Sequence, residues 1–410
     1  MRIIPRRIDV EKIEKAKPWV MIYGRRKTGK TFLVENFINY DLFYFVNRDS
    51  TIIDKNSGEK FTYEEFITIF KNLLGRQRIV VDEFHRLPEN FLDILHSSGT
   101  KGDLILITST LWLSKKLLER RSPLLGIIHP IKIGLIDERE ILLELSKKLK
   151  YRDLIETCVY LKEPFLIPFY KKPIRDFIAN YIYESKLMIK ELIGEIFTEE
   201  DKRLTNIYEG IMKAVADGKN ISTEISTLLF SRGIISKDNP GVLQKYLDIL
   251  TGMGILEKLE VVSKKKKFLY QHTSPLIDLH YYLEEKYSYT EIEVSKNFIM
   301  DVVDVKLPLH IEQFFRNLLS KLFGFYPKKI QDPEIDIALY KFKKLKLVGE
   351  IKWKEYINKK EIRGVEEKLN RFKEAKKYLI VPEESVAEIL PEGVEIIDVE
   401  KCIELVKDFH

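Results

Sequence analysis

Gly24-Arg25-Arg26-Lys27-Thr28-Gly29-Lys30-Thr31 directly follows a short apolar run, Val20-Met21-Ile22-Tyr23, and opens a segment of helical character at Phe32. Strand, glycine-bounded loop and helix in that order are the context in which the spacing Gly-x4-Gly-Lys-Thr cradles phosphate. Glycines let the backbone turn tightly enough for its N–H groups to point at phosphate oxygens, and the helix N-terminus adds a favourable dipole. Lys30 is expected at the β and γ phosphates, and the Thr31 hydroxyl on Mg²⁺. The candidate nucleotide-binding residues are Gly24, Arg25, Arg26, Lys27, Thr28, Gly29, Lys30, Thr31 and Phe32, with Lys27 on the outside of the loop and ATP with Mg²⁺ as the expected ligand.

A second apolar run ends in two acids, Ile79-Val80-Val81-Asp82-Glu83. Behind a phosphate loop, the first such carboxylate holds magnesium and the second polarises the attacking water. Adjacent acids at a strand end are otherwise costly to bury. The next strand ends in Thr108-Ser109-Thr110, where Ser109 would lie beside the γ-phosphate; polar residues also simply terminate strands. Arg120 and Arg121 would either offer a charge to a neighbouring subunit's nucleotide, in a homo-oligomer, or form an exposed helix end.

The chain of 410 residues is long enough for two to three domains, and 45% hydrophobic with 32% charged residues is a globular balance. No run of about 18 apolar residues is present for a bilayer span. The opening Met1-Arg2-Ile3-Ile4-Pro5-Arg6-Arg7 lacks the apolar core of a secretory signal, so a cytoplasmic protein is expected. Cys158 and Cys402 lie far apart and outside metal-ligand spacing. An excess of 69 Lys+Arg over 63 Asp+Glu permits a nucleic-acid partner without demanding one.

Periodicity divides the chain into an αβ core over 1–140, a helical lid over 141–203, a helical unit over 204–290 and a second αβ unit over 296–410. In the core, Leu42 to Val46, Arg78 to Val81 and Leu104 to Ile107 read as further buried strands and Thr62 to Leu74 and Glu89 to Leu95 as helices, the alternation of a doubly wound parallel sheet. In the third unit, helices are expected at Thr205 to Ala216, Ser222 to Phe230 and Gly241 to Thr251, with Gly218, Gly233 and Gly252 at their ends. A hairpin around Lys264-Lys265-Lys266-Lys267 follows, giving the order of a winged helix with a basic wing set to meet phosphate oxygens. Gln244, Lys245 and Tyr246 are few polar groups for reading bases, so backbone contact without sequence specificity is expected.

In the last unit, a helix from Ile311 to Phe323 carrying Glu312 precedes strands Ile335 to Tyr340 and Leu345 to Lys352, a helix Lys360 to Lys376, and strands at Tyr378 to Val381 and Val394 to Ile397. Strand alternation puts Glu350 and Lys352 on one face, and a hairpin brings Asp336 alongside. Two carboxylates there would hold Mg²⁺ or Mn²⁺, and the lysine would orient a water for attack on a phosphodiester. Salt-bridged strand residues would look the same. Lys341, Lys343, Lys344, Lys354, Lys359 and Lys360 surround this place and would draw in DNA or act as solubilising surface.

The loop at 24–31, Val81-Asp82-Glu83-Phe84-His85 and Arg121-Ser122-Pro123-Leu124-Leu125-Gly126 together resemble the archaeal P-loop ATPases of the AAA+/STAND-related group. The resemblance implies a lid, a winged helix and a nuclease-like C-terminal domain. Two positions depart from the family: Ile127 stands where an arginine is frequent, and Leu161-Lys162-Glu163-Pro164 replaces a Gly-Gly-x-Pro lid motif. The Asp…Glu-x-Lys order over 296–410 is similar to the PD-(D/E)XK nucleases, with Pro333 three residues ahead of Asp336. The expected activity is an ATPase acting on DNA with a metal-dependent nuclease domain. Its rivals are a nucleotide switch with a silent nuclease-like domain and a chaperone-like ATPase acting on protein.

Overall fold

The computed structural model of the chain describes residues 3–109, 125–199, 205–263 and 266–408. Thr110, Arg120, Arg121, Ser122 and Pro123, and the first half of the basic turn, Lys264 and Lys265, lie outside the described residues.

The N-terminal layer contains α1 (Arg7–Lys15), β1 (Trp19–Tyr23), α2 (Lys30–Phe37), β2 (Leu42–Val46), β3 (Ile52–Asp54), β4 (Lys60–Phe61), α3 (Tyr63–Leu73), β5 (Ile79–Asp82), α4 (Asn90–Ser98), β6 (Leu104–Thr108) and β7 (His129–Lys132). Its sheet runs β4-β3-β2-β5-β6-β1-β7, parallel from β2 to β7 with an antiparallel edge at β3 and β4. Both faces are covered, because alternate residues of one strand enter different cores. Trp19 and Met21 pack with Phe66, Phe70 and Phe91 of α3 and α4, whereas Val20 and Ile22 pack with Ile13 of α1 and Leu33 of α2. A capping box of Thr62 and Glu65 starts α3.

The chain continues through α5 (Glu138–Leu145), α6 (Tyr151–Leu161), α7 (Ile174–Glu199), α8 (Asn206–Ala216), α9 (Ser222–Ser231) and α10 (Pro240–Gly252). A hairpin of β8 (Leu256–Val261) and β9 (Lys267–His272) follows, then α11 (Pro275–Tyr287) and α12 (Lys296–Phe323). The last elements are β10 (Tyr326–Gln331), β11 (Glu334–Ile335), β12 (Ile337–Lys341), β13 (Lys344–Ile351), α13 (Lys359–Leu369), β14 (Lys376–Ile380), β15 (Glu395–Ile397) and α14 (Val399–Asp408). Their sheet runs β15-β14-β13-β12-β10-β8-β9, with β11 paired to β10. Parallel pairing of Lys328 and Lys329 with Glu260 and Val261 therefore carries one sheet across residues 290–296. One face of this sheet, through Ile337, Leu347 and Ile380, joins the core made by α5 to α12; the other, through Ala338, Val348 and Leu379, packs on Ile362 and Val365 of α13.

Several boundaries differ from the sequence reading. Helix α12 begins at Lys296 rather than Ile311 and runs through Pro308, and α13 stops at Leu369 rather than Lys376. Gly252 is still helical, and the left-handed residue beyond α10 is Gly254 at φ 70°. Among the described residues no helix is long and apolar enough to cross a membrane.

Candidate functional site

Parallel pairing brings the C-terminal ends of β1, β5 and β6 to one edge of the sheet, with β6 between the other two. The loop after β1, Asp82-Glu83 after β5 and Thr108-Ser109 at the end of β6 thereby become neighbours, in the crevice where open α/β sheets hold ligands. Gly24 admits no side chain there: a Cβ would sit 2.0 Å from the Ile133 carbonyl oxygen beyond β7. Gly29 takes a left-handed φ of 81° and caps α2, so the helix dipole opens onto the loop.

Lys30 is buried, and its Nζ donates to the carbonyls of Gly24 at 2.8 Å and Arg25 at 3.0 Å. Burial lowers its pKa to about 8 against the pull of Glu83 and Asp82. Thr31 Oγ1 donates to Asp82 Oδ2 at 2.7 Å, and burial followed by the nearby Glu83 charge raises Asp82 to about 6. A part-buried hydroxyl beside a buried carboxylate whose charge is disfavoured by its surroundings suits a hard divalent cation, so Thr31 and Asp82 fit Mg²⁺. Glu83 is left-handed at φ 55°, and its Oε2 accepts from Ser109 Oγ at 2.9 Å. Ser109 thus meets the water-polarising candidate, while Thr108 Oγ1 lies 3.1 Å from His85 Nδ1.

Arg25 and Arg26, placed by the sequence among the nucleotide-binding residues, have other partners here. Arg25 is buried and bidentate to Glu163 at 2.7 and 2.8 Å, and Arg26 Nε lies 3.1 Å from Glu195 of α7. The departure at Leu161-Lys162-Glu163-Pro164 is therefore a contact with the loop. Glu163 takes Arg25, Pro164 faces Gly29, and Lys162 pairs with buried Glu138, which also takes Lys321 of α12. Arg6, not among the candidate site residues of the sequence, donates to the Thr28 carbonyl at 2.7 Å. Beside the loop, Ile4, Phe32, Leu33, Ile136, Phe165 and Ile167 line an apolar cavity of about 260 Å³, with Lys27, Thr28 and Gly29 on its rim. Only Phe32, Lys27, Thr28 and Gly29 of that lining had a sequence signal; the others are ordinary apolar residues until the fold gathers them.

At the second place, the register Ile337 to Gly349 sets Asp336 beside Glu350, and Asp336 Oδ2 accepts from the Ile351 N–H at 2.8 Å. Glu350 is buried; burial and the Asp336 charge raise its pKa against Lys368 and Lys352. Lys368 of α13 lies 2.5 Å from one Glu350 oxygen, and Lys352 lies 3.9 Å from the other. Glu312 is 3.5 Å from both Lys329 and Arg316. Among the described residues no three His, Cys, Asp or Glu side chains are grouped to hold a metal ion. Lys341, Lys343, Lys344, Lys354, Lys359 and Lys360 are exposed.

Residues 16–142 match a family model described as an AAA domain. No curated protein matches the chain. Among solved structures, the Walker-type ATPase of Pyrococcus abyssi is 15% identical with a TM-score of 0.45, covering 68% of this chain and 96% of its own. Aeropyrum pernix ORC1 in complex with DNA is 14% identical with a TM-score of 0.30, covering 71% and 96%. Cdc6p of Pyrobaculum aerophilum is 11% identical with a TM-score of 0.28, covering 75% and 96%. Together with the loop and the parallel-rich sheet, the family match supports a P-loop ATPase domain of the AAA type at the N-terminal end of the chain.

Proposed function

We propose that the chain is a magnesium-dependent ATPase that acts on or while bound to DNA. The observation that carries this reading is the meeting of Lys30, Thr31, Asp82, Glu83 and Ser109 at one sheet edge. On nucleotide binding, the Lys30 ammonium leaves the loop carbonyls for the β and γ phosphates. Thr31 and Asp82 would hold Mg²⁺, which would supply neutralising charge to the phosphates. Glu83 accepts a proton from the attacking water, and Ser109 orients that carboxylate. The apolar cavity between the loop and Phe165 suits the base.

The segment from α5 to α7 serves as the lid, and α8 to β9 as a winged helix whose basic turn, Lys264 to Lys267, meets phosphate. Exposed lysines of the last unit add further positive charge. DNA is the partner this charge suits, through backbone contact. The last unit is a nuclease-like domain in which Asp336 and Glu350 would hold a metal ion and Lys352 would orient the water. A second reading, a nucleotide switch whose nuclease-like domain is silent, is favoured by the pairing of Glu350 with Lys368 and Lys352.

One experiment separates them. Wild type and the Asp336→Ala/Glu350→Ala double variant are incubated with linear, branched and single-stranded DNA, with Mg²⁺ or Mn²⁺, with and without ATP. DNA-stimulated phosphate release by both proteins, with strand scission only by wild type, is expected of the nuclease. Stimulated release without scission by either supports the switch. Phosphate release indifferent to every DNA overturns the DNA assignment.

A further inference from the structure

Glu83 lies just beyond β5 in a left-handed conformation that a non-glycine residue adopts at some cost. Its carboxylate is held unevenly. Oε2 accepts from Ser109 Oγ at 2.9 Å and lies 3.3 Å from His85 Nδ1. Oε1 has the Arg86 guanidinium at 3.9 Å, outside hydrogen-bond range, while Arg86 itself donates to the Val46 carbonyl at 2.9 Å. His85 Nδ1 is also 3.1 Å from Thr108 Oγ1. Of the two neutral tautomers of this ring, the one with its hydrogen on Nδ1 is the one that donates toward this pair of oxygens.

We propose that His85 is the positioning residue for Glu83: with Ser109 it pins Oε2 and leaves Oε1 as the oxygen that takes the proton from water. This rests on the ATPase reading above and extends it by one residue. A glutamate's terminal torsion is broad, so a carboxylate held by one donor swings about that contact. Two donors from different segments, the turn after β5 and the end of β6, remove the swing. Holding a general base in reach of its proton is a geometric requirement that small displacements defeat. His85 touches neither nucleotide nor metal in this scheme and acts through Glu83.

The test compares His85→Ala and His85→Asn in the full chain, each with Glu83 or with Glu83→Gln. The asparagine amide N–H₂ reaches close to where imidazole Nδ1 lies and restores one donor. Steady-state ATP turnover, KM for ATP and melting temperature are measured for all, below every melting transition. His85→Ala is expected to lower kcat at least about ten-fold with KM changed less than about two-fold, a loss confined to the chemical step. His85→Asn is expected to recover most of it. In the Glu83→Gln background the same substitution should change kcat little, because residues that act as a unit are not additive. An unchanged kcat in His85→Ala, an asparagine variant as slow as the alanine one, or losses that multiply in the Glu83→Gln background would each overturn the proposal. Glu83→Gln turning over as fast as wild type would instead remove the role given to Glu83.

Discussion

Asp82 and Glu83 are neighbours in sequence with different surroundings, and that difference divides the roles proposed for them. Asp82 closes β5, is almost wholly buried, and accepts from Thr31 Oγ1; Glu83 turns away from the strand toward Ser109 and His85. Asp82→Asn is expected to weaken nucleotide binding where it depends on Mg²⁺. Glu83→Gln is expected to keep the nucleotide bound and slow its turnover by on the order of a hundred-fold, the usual worth of general-base help. Calorimetric titration with ATP in the presence and absence of Mg²⁺, beside phosphate release, checks both; equal affinities and equal rates in the two variants would erase the division. The place of both acids at the C-terminal end of β5 was legible from Ile79 to Glu83 alone. The fate of Arg25 was not, because its partner Glu163 stands 138 residues away and only the fold brings a buried carboxylate to the loop.

Helix α6 joins the nucleotide loop to the last unit. At 11 residues it spans about 16 Å. Beyond its C-terminal end, Glu163 holds Arg25 and Pro164 covers Gly29. At its middle, Glu156 binds Arg175 and the indole N–H of Trp353 at 3.1 Å, one residue beyond Lys352. Arg25 and Glu163 are both buried, so Glu163→Ala strands a guanidinium and is expected to cost about 3 kcal/mol of stability in urea unfolding. A loss below about 0.5 kcal/mol, the range of an ordinary surface change, would mean that the pair holds nothing. The apolar-run strands β1, β2, β5 and β6 and the periodic helices α3, α8, α9 and α10 were all readable within a residue or a few. The short edge strands β4, Lys60-Phe61, and β7, which contains His129-Pro130, were not, nor was the interior strand β10, which reads Tyr-Pro-Lys-Lys-Ile-Gln; none of them is an apolar or alternating run. Pro308 hid the first half of α12, since a proline inside a helical pattern reads as a break.

The single sheet from β9 to β15 and the core shared by α5 to α12 make the middle and last units one body of packing. Deep in it, Asp278 of α11 lies 2.8 Å from Lys306 and 2.9 Å from His310. Burial alone would raise its pKa; His310 and Lys306 outweigh that and hold it at about 2. Burial also lowers the His310 pKa, so at neutral pH His310 serves as a hydrogen-bond donor and Lys306 as the charge. A folded pKa below the unfolded value of about 3.9 contributes stability above about pH 4 that is lost as pH falls through 2, roughly 2–3 kcal/mol in all. The stability gap between wild type and Asp278→Asn in urea is therefore expected to narrow from pH 4.5 to pH 2.5, and a constant gap would contradict the pairing. Across the whole molecule, the ATPase reading and the role of His85 depend on the loop at 24–31 being a working ATP site. The direct measurement is phosphate release from ATP with Mg²⁺ by purified wild type and Lys30→Ala, since no other loop residue can bring an ammonium to the β and γ phosphates. Turnover by wild type that falls to background in Lys30→Ala is the predicted result; equal turnover by the two, or none by wild type, would contradict the account.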